Sequence, residues 1–236
     1  MHTNARTLLA AVFASLLLAG CVTTSHKQIT ALERPEARAP RVLLMPLDVE
    51  LSELSAGGLP EPKAEWTAAA NRHMDTALKA INAELDLHLL DYDEDKLSAD
   101  KRDEIIQLLK LHGIVGNSIL LHQYVQPYAL PTKAGKFDWS LGSSVRHLRE
   151  ETGADYALFL WVRDSYSSGG RVAVIMLAAV MGVGVQGGVQ IGFASLVDLQ
   201  TGNIVWFNRL ARPTGDLRNE AAARETTLVL LKDLPK

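Results

Sequence analysis

The run Asp155–Val162 (Asp-Tyr-Ala-Leu-Phe-Leu-Trp-Val) constrains the fold of this 236-residue chain more than any other stretch. Side chains along a strand point alternately to its two sides, so a strand apolar at every position from Tyr156 onward has two faces to bury. Such a strand belongs inside a sheet with cover on both sides, which points to an α/β architecture. The rest of the chain supplies that cover. Val42–Leu47 reads as a first buried strand, with Pro46 near its end. Pro62 opens a long helix in which Trp66, Ala70, Met74, Ala77, Leu78, Ile81 and Leu85 recur at three- and four-residue spacing. Leu87–Tyr92 is the second strand. Ser98 caps a helix that buries Ile105, Leu108 and Leu109 and ends at Gly113. A less regular stretch with Pro127, Pro131 and Gly135 follows, and a helix around Val145 and Leu148 closes at Gly153.

Beyond the third strand, Phe193–Leu199 and Ile204–Leu210 flank Gln200-Thr201-Gly202-Asn203, an antiparallel hairpin signal. A last helix, capped by Asn219, returns Leu228 and Leu231 to the sheet. The order is β-α-β-α-α-β-β-β-α without a break in composition. The expected fold is therefore α/β: one domain with a mixed sheet flanked by helices over residues 41–236.

The N-terminus is a different matter. Arg6 precedes an apolar run from Leu8 to Leu18, long enough for a secretory leader and too short to span a bilayer. The run ends at Leu18-Ala19-Gly20-Cys21, where small residues precede the sole cysteine. This resembles the bacterial lipoprotein signal. The resemblance implies cleavage after residue 20, a diacylglyceryl group on the Cys21 sulfur and an acyl chain such as palmitate on its new amine. It also implies sorting to the outer membrane, because Val22 stands where a retention signal would carry aspartate. With one cysteine, no disulfide can form within the chain. Residues 22–40 are polar and proline-punctuated, so residues 21–40 read as an anchor and tether with a reach of ~25 Å. Removing the leader shifts the net charge from −3 to about −4 with no basic stripe, which argues against nucleic acid as a partner.

Two motifs carry a further resemblance: Gly153-Ala-Asp-Tyr-Ala-Leu-Phe-Leu160 leading into the third strand, and Val197-Asp-Leu-Gln-Thr-Gly-Asn-Ile-Val-Trp206 at the hairpin. Over residues 41–234 the chain resembles periplasmic lipoproteins built on the small α/β domain of the curli secretion channel, exopolysaccharide-export lipoproteins and the TolB N-terminal domain. That resemblance implies a non-enzymatic structural or adaptor subunit of an envelope assembly, homo-oligomeric and periplasm-facing. A curli-type pore is not expected, since no second long membrane-facing loop is present. Two other functions were weighed: a regulator of cell-wall synthesis, and an envelope hydrolase lacking a recognisable motif.

Residues that could carry chemistry do not assemble into a pattern. Gly182, Gly184 and Gly187 satisfy G-x-G-x-x-G, but a strand pattern follows where a dinucleotide site needs a helix. His73, His88, His112, His122 and His147 lack ligand spacing, so neither metal nor cofactor is expected. Ser143 and Ser144 read as helix caps. Asp91, Asp93, Glu94 and Asp95 read as a solvated turn, lacking the glycine and distal glutamate of a calcium loop.

The segment 171–193 is the exception. Val172–Met181 is apolar, and Val183, Val185, Val189, Ile191 and Phe193 share one face of a strand whose other face is glycine and glutamine. Three readings stand: a core strand behind a buried loop, a hydrophobic flap touching the membrane or a neighbouring subunit, and a β-barrel insertion.

Overall fold

The computed structural model describes residues 23–28, 38–82, 88–92, 99–213 and 215–235. Elements are numbered along the chain. The strands are β1 (Thr23–Gln28), β2 (Arg41–Leu44), β3 (Asp48–Leu54), β4 (Pro60–Pro62), β5 (His88–Asp91), β6 (Tyr156–Ser167), β7 (Gln190–Asp198) and β8 (Ile204–Arg212). The helices are α1 (Ala64–Asn82), α2 (Ala99–Tyr124), α3 (Arg146–Thr152), α4 (Gly169–Val180) and α5 (Glu220–Leu230). Cys21 and the leader, Leu85, Leu87, Ser98 and the acidic residues 93–95 lie outside the described residues.

The eight strands form a single mixed sheet in the order β1-β8-β7-β6-β2-β5, with β3 also on β6 and β4 on β3. β6 is central, as its sequence requires. Tyr156, Leu158, Leu160 and Val162 enter one core with Ala70, Met74, Leu78 and Ile81 of α1 and Ala223 and Leu230 of α5. Ala157, Phe159 and Trp161 enter the other with Ile105, Leu108 and Ile119 of α2 and Leu148 of α3. The result is a three-layer α/β/α domain. The hairpin forms as expected: β7 and β8 run antiparallel, and the Asp198 carboxylate accepts from the backbone N–H groups of Gln200 and Thr201 at 2.7 and 2.9 Å. Asn219 caps α5 by accepting from Ala221 and Ala222.

Several expectations need correction. Pro46 lies in a gap between two strands that occupy the same edge of β6: β2 pairs parallel with Tyr156–Leu158 and β3 with Trp161–Ser167. A residue without an N–H interrupts the ladder, and the chain resumes it as β3, where Val49 and Leu51 turn inward and Glu50 turns out. Pro62 closes β4, and the helix starts at Ala64. Gly113 does not end α2. The helix continues to Tyr124, because Gly113 lies over Trp161 and Gly116 over Phe193, where a Cβ would overlap the Phe193 ring. Ser144 donates to the Leu141 carbonyl within a 3-10 turn and caps nothing. Leu228 is 37% exposed, and Leu230 and Leu231 make the contact expected of it. Within the expected tether, residues 23–28 form β1, antiparallel to β8 with Thr23 opposite Ala211 and Gln28 opposite Trp206.

A buried carboxylate holds the start of β2. Asp155 is 4% exposed; Arg38 donates to its two oxygens at 2.7 and 2.9 Å, and the Arg41 N–H donates at 3.0 Å. Burial pushes the Asp155 pKa up, but the Arg38 and Arg41 hydrogen bonds and the Arg38 and Arg149 charges outweigh it and hold the group below its usual range.

Candidate functional site

Segment 171–193 is the feature that distinguishes this domain. Its first half is a helix: Ser168 caps α4 by accepting from the Arg171 N–H, so Gly169 and Gly170 are its first turn and not part of a loop. Gly182, at φ +74, ends it, and residues 182–189 cross irregularly to β7. The expected strand face therefore does not exist as one surface. Val183 is 53% exposed, Val185 and Val189 are half-buried, and Ile191 and Phe193 belong to β7. Phe193 is fully buried, stacked on Trp161 with ring centroids 4.8 Å apart, and touches neither solvent nor partner. Before β7 the chain is held to β6 by the Ser165 N–H donating to the Val189 carbonyl and by the Ser165 and Ser167 hydroxyls, which accept from the N–H groups of Val189 and Gly188.

Within the expected flap the exposed surface lies on its helical half and not on the expected strand face. On and after α4, Met176, Leu177, Val180 and Met181 are 65%, 64%, 87% and 67% exposed. Leu59, in the turn between β3 and β4, is exposed at the same end. Only Ala178 of α4 is buried. The segment is nevertheless fastened: Arg171 donates to the Gln186 and Ala56 carbonyls, and the Val183 N–H donates to the Ala178 carbonyl. A run that is apolar at every position contains no phase to separate a helix from a strand, which is why the sequence shows the apolar run but not that its exposed part is helical.

A second apolar stripe runs along the outer side of α2 through Ile106, Ile114 and Leu121, continued by Val125. By length and composition α2 could cross a membrane. Its inner side instead packs on the sheet through Ile105, Leu108, His112 and Ile119. A groove lined by Ile114, Asn117, Leu121, Trp161 and Arg163 lies along that stripe.

The polar groups that could suggest catalysis are in structural use. His112 is fully buried, hydrogen-bonded to Ser195 Oγ at 2.9 Å and stacked on Phe159. Burial pushes its pKa down from 6.5 to about 3, so the ring is neutral. Among the described residues no carboxylate bonds to it, and Ser195 is fully buried. Asp164, 2% exposed, accepts from Tyr166 Oη and from Gln190 Nε2. Gln190 Oε1 in turn accepts from Arg212 Nε at 2.8 Å and from Thr226 Oγ1. Burial pushes the Asp164 carboxyl pKa up. This network fastens α5 and the segment before it to the sheet, since the Leu217 N–H also donates to Tyr166 Oη. His73, His122 and His147 are dispersed, with His122 donating through Nδ1 to the Tyr128 carbonyl and His147 through Nδ1 to that of Ser144. Among the described residues no three His, Cys, Asp or Glu side chains gather in a metal-binding group.

No protein-family model and no curated protein matches the chain. Among solved structures, the PelC dodecamer from Paraburkholderia phytofirmans is similar at 14% identity and a TM-score of 0.41, covering 91% of this chain and 98% of that one. A second structure, of a point variant of that dodecamer, is similar at 15% identity and a TM-score of 0.37, covering 92% and 98%. At these values the likeness carries no inference about function.

Proposed function

We propose that this chain is a lipid-anchored, periplasm-facing subunit of an envelope assembly related to secretion or export, acting by structure and not by chemistry. It would be held at the outer membrane through acylated Cys21, built on the α/β domain shared by curli-channel and TolB N-terminal-type proteins, and self-associated along the α2 stripe. The observation that carries this reading is the pairing of a lipoprotein-type leader with a domain that leaves two apolar surfaces uncovered. A soluble monomer seldom tolerates that much exposed apolar area. A role as cell-wall regulator at long range is disfavoured by β1, which takes residues 23–28 out of the free tether. A hydrolase role is disfavoured because the His112–Ser195 pair is sealed under α2.

The test begins with the anchor. Native protein should carry acyl groups by mass and sediment with outer membranes, and Cys21→Ser should lose the acyl mass. The detergent-extracted native protein should have the mass of several copies. An unacylated Cys21 in the native protein, or a monomeric mass in mild detergent, would overturn the corresponding half of the reading.

A further inference from the structure

Strand register brings together two features that the sequence holds about 150 residues apart. β6 leaves the sheet at Ser167 and turns into α4, and β3 ends beside it with Leu54 opposite Ser167. β7 begins at Gln190 opposite Asp164, β8 ends with Arg212 opposite Gln190, and β1 begins with Thr23 opposite Ala211. All these positions mark one end of the sheet. Cys21 is two residues before Thr23, so its Cα lies within about 7 Å of Thr23 on any path the chain takes. Three strand spacings separate β1 from β6, or about 15 Å. On the lipoprotein reading the anchor therefore belongs to the same end of the sheet as α4.

We propose that α4 and its following loop, with Leu59 beside them, enter the lipid leaflet that receives the Cys21 acyl chains. The domain is then seated by a protein wedge as well as by its anchor. This rests on the lipoprotein reading for the choice of leaflet and not for the wedge itself. Three properties favour lipid over another protein as the occupant. The first is charge: Arg171 alone is ionisable between residues 169 and 189, and its guanidinium is already bonded to backbone carbonyls. The second is shape. Val172, Val174, Met176, Leu177 and Val180 spread over about 200° of the helix circumference, each at least 38% exposed, and only the side of Ala178 is turned to the protein. A protein partner covers one side of such a helix, whereas acyl chains surround it. The third is length. Twelve residues of helix span about 18 Å against a hydrocarbon core of ~30 Å, so α4 can enter one leaflet and cannot cross. The α4 backbone tolerates the move, since its N–H and C=O groups are paired within the helix, and Ser167 and Ser165 accept from Gly188 and Val189 where the loop returns to the sheet.

The experiment reconstitutes the acylated protein in phosphatidylethanolamine–phosphatidylglycerol vesicles, with a polarity-sensitive fluorophore on Val180→Cys or, separately, on Ile114→Cys in α2. The label at 180 should shift to the blue and be quenched by bromine placed in the acyl chains, while the label at 114 is not quenched. Unacylated mature-length protein with Cys21→Ser should still float with the vesicles. Adding Met176→Asp, Leu177→Asp and Val180→Asp should reduce its flotation at least tenfold with an unchanged far-UV spectrum, and Val180→Gln alone gives a milder variant should the triple misfold. Failure of the Cys21→Ser protein to float overturns the wedge. So does equal quenching at 114 and 180, or a shift at 180 that appears without lipid and grows with protein concentration, which would make a second copy the occupant. Absence of acylation in cells would remove the anchor reading and leave the flotation result standing.

Discussion

Asp155 does more at the residue scale than its place before an apolar strand suggests. Its carboxylate collects the Arg38 fork, the Arg41 N–H and an Arg149 contact at 3.4 Å, which ties the approach to β2 to the start of the central strand. Asparagine has one acceptor oxygen and no charge, so Asp155→Asn should lower stability by about 2–3 kcal/mol in urea titration. An unchanged midpoint would mean that the clamp contributes nothing. His112 gives a pH signature. Its folded pKa is depressed to about 3, while the unfolded chain takes up the proton near 6.5. Below pH 6.5 the unfolded state binds more protons, so this stability is present above that pH and is lost as the pH falls toward 3. Replacing both partners, as His112→Leu with Ser195→Ala, leaves no buried polar group orphaned. The double variant should lose less melting temperature than the native protein between pH 7 and 4.5. An equal loss in both would place the titrating groups elsewhere.

Elements were legible in the sequence where the period was unambiguous. The α1 stripe of Ala70, Met74, Leu78 and Ile81 is the face that packs on the sheet, and the Asp155 run is the central strand. β3 is not legible because a proline after an apolar run reads as the close of a strand, whereas Pro46 only interrupts an edge that resumes at Asp48. α2 was cut short because glycine serves two ends: it terminates helices, and it lets a helix lie close on a sheet. Only the tertiary partner decides between them, and here the partners are Trp161 and Phe193. That difference can be measured. By helix propensity Gly116→Ala gains ~1 kcal/mol. Overlap with Phe193, held between Trp161 and Phe207, costs about 1–3 kcal/mol if α2 has to lift. The melting temperature should fall. A rise would place the Gly116 face outward. The candidate surface was half legible: the apolar run was visible, but Val185, Val189, Ile191 and Phe193 were grouped by a strand phase that residues 181–189 do not follow.

The whole molecule is a three-layer domain with one apolar patch at an end of its sheet and another along a side. If the α2 stripe joins copies, Ile114→Glu with Leu121→Glu should reduce the particle mass in mild detergent to that of one subunit, with an unchanged far-UV spectrum. A retained large particle would leave the subunit contact elsewhere. β1 has a mechanical consequence. It lies antiparallel to β8 with its N-terminal end toward Cys21, so a pull on Cys21 along the sheet axis slides six backbone pairs against one another at once. They bear that load in shear instead of opening one at a time. The six residues nearest the leader would then act as a catch that transfers force from the N-terminus straight into β8, and through it to the centre of the sheet.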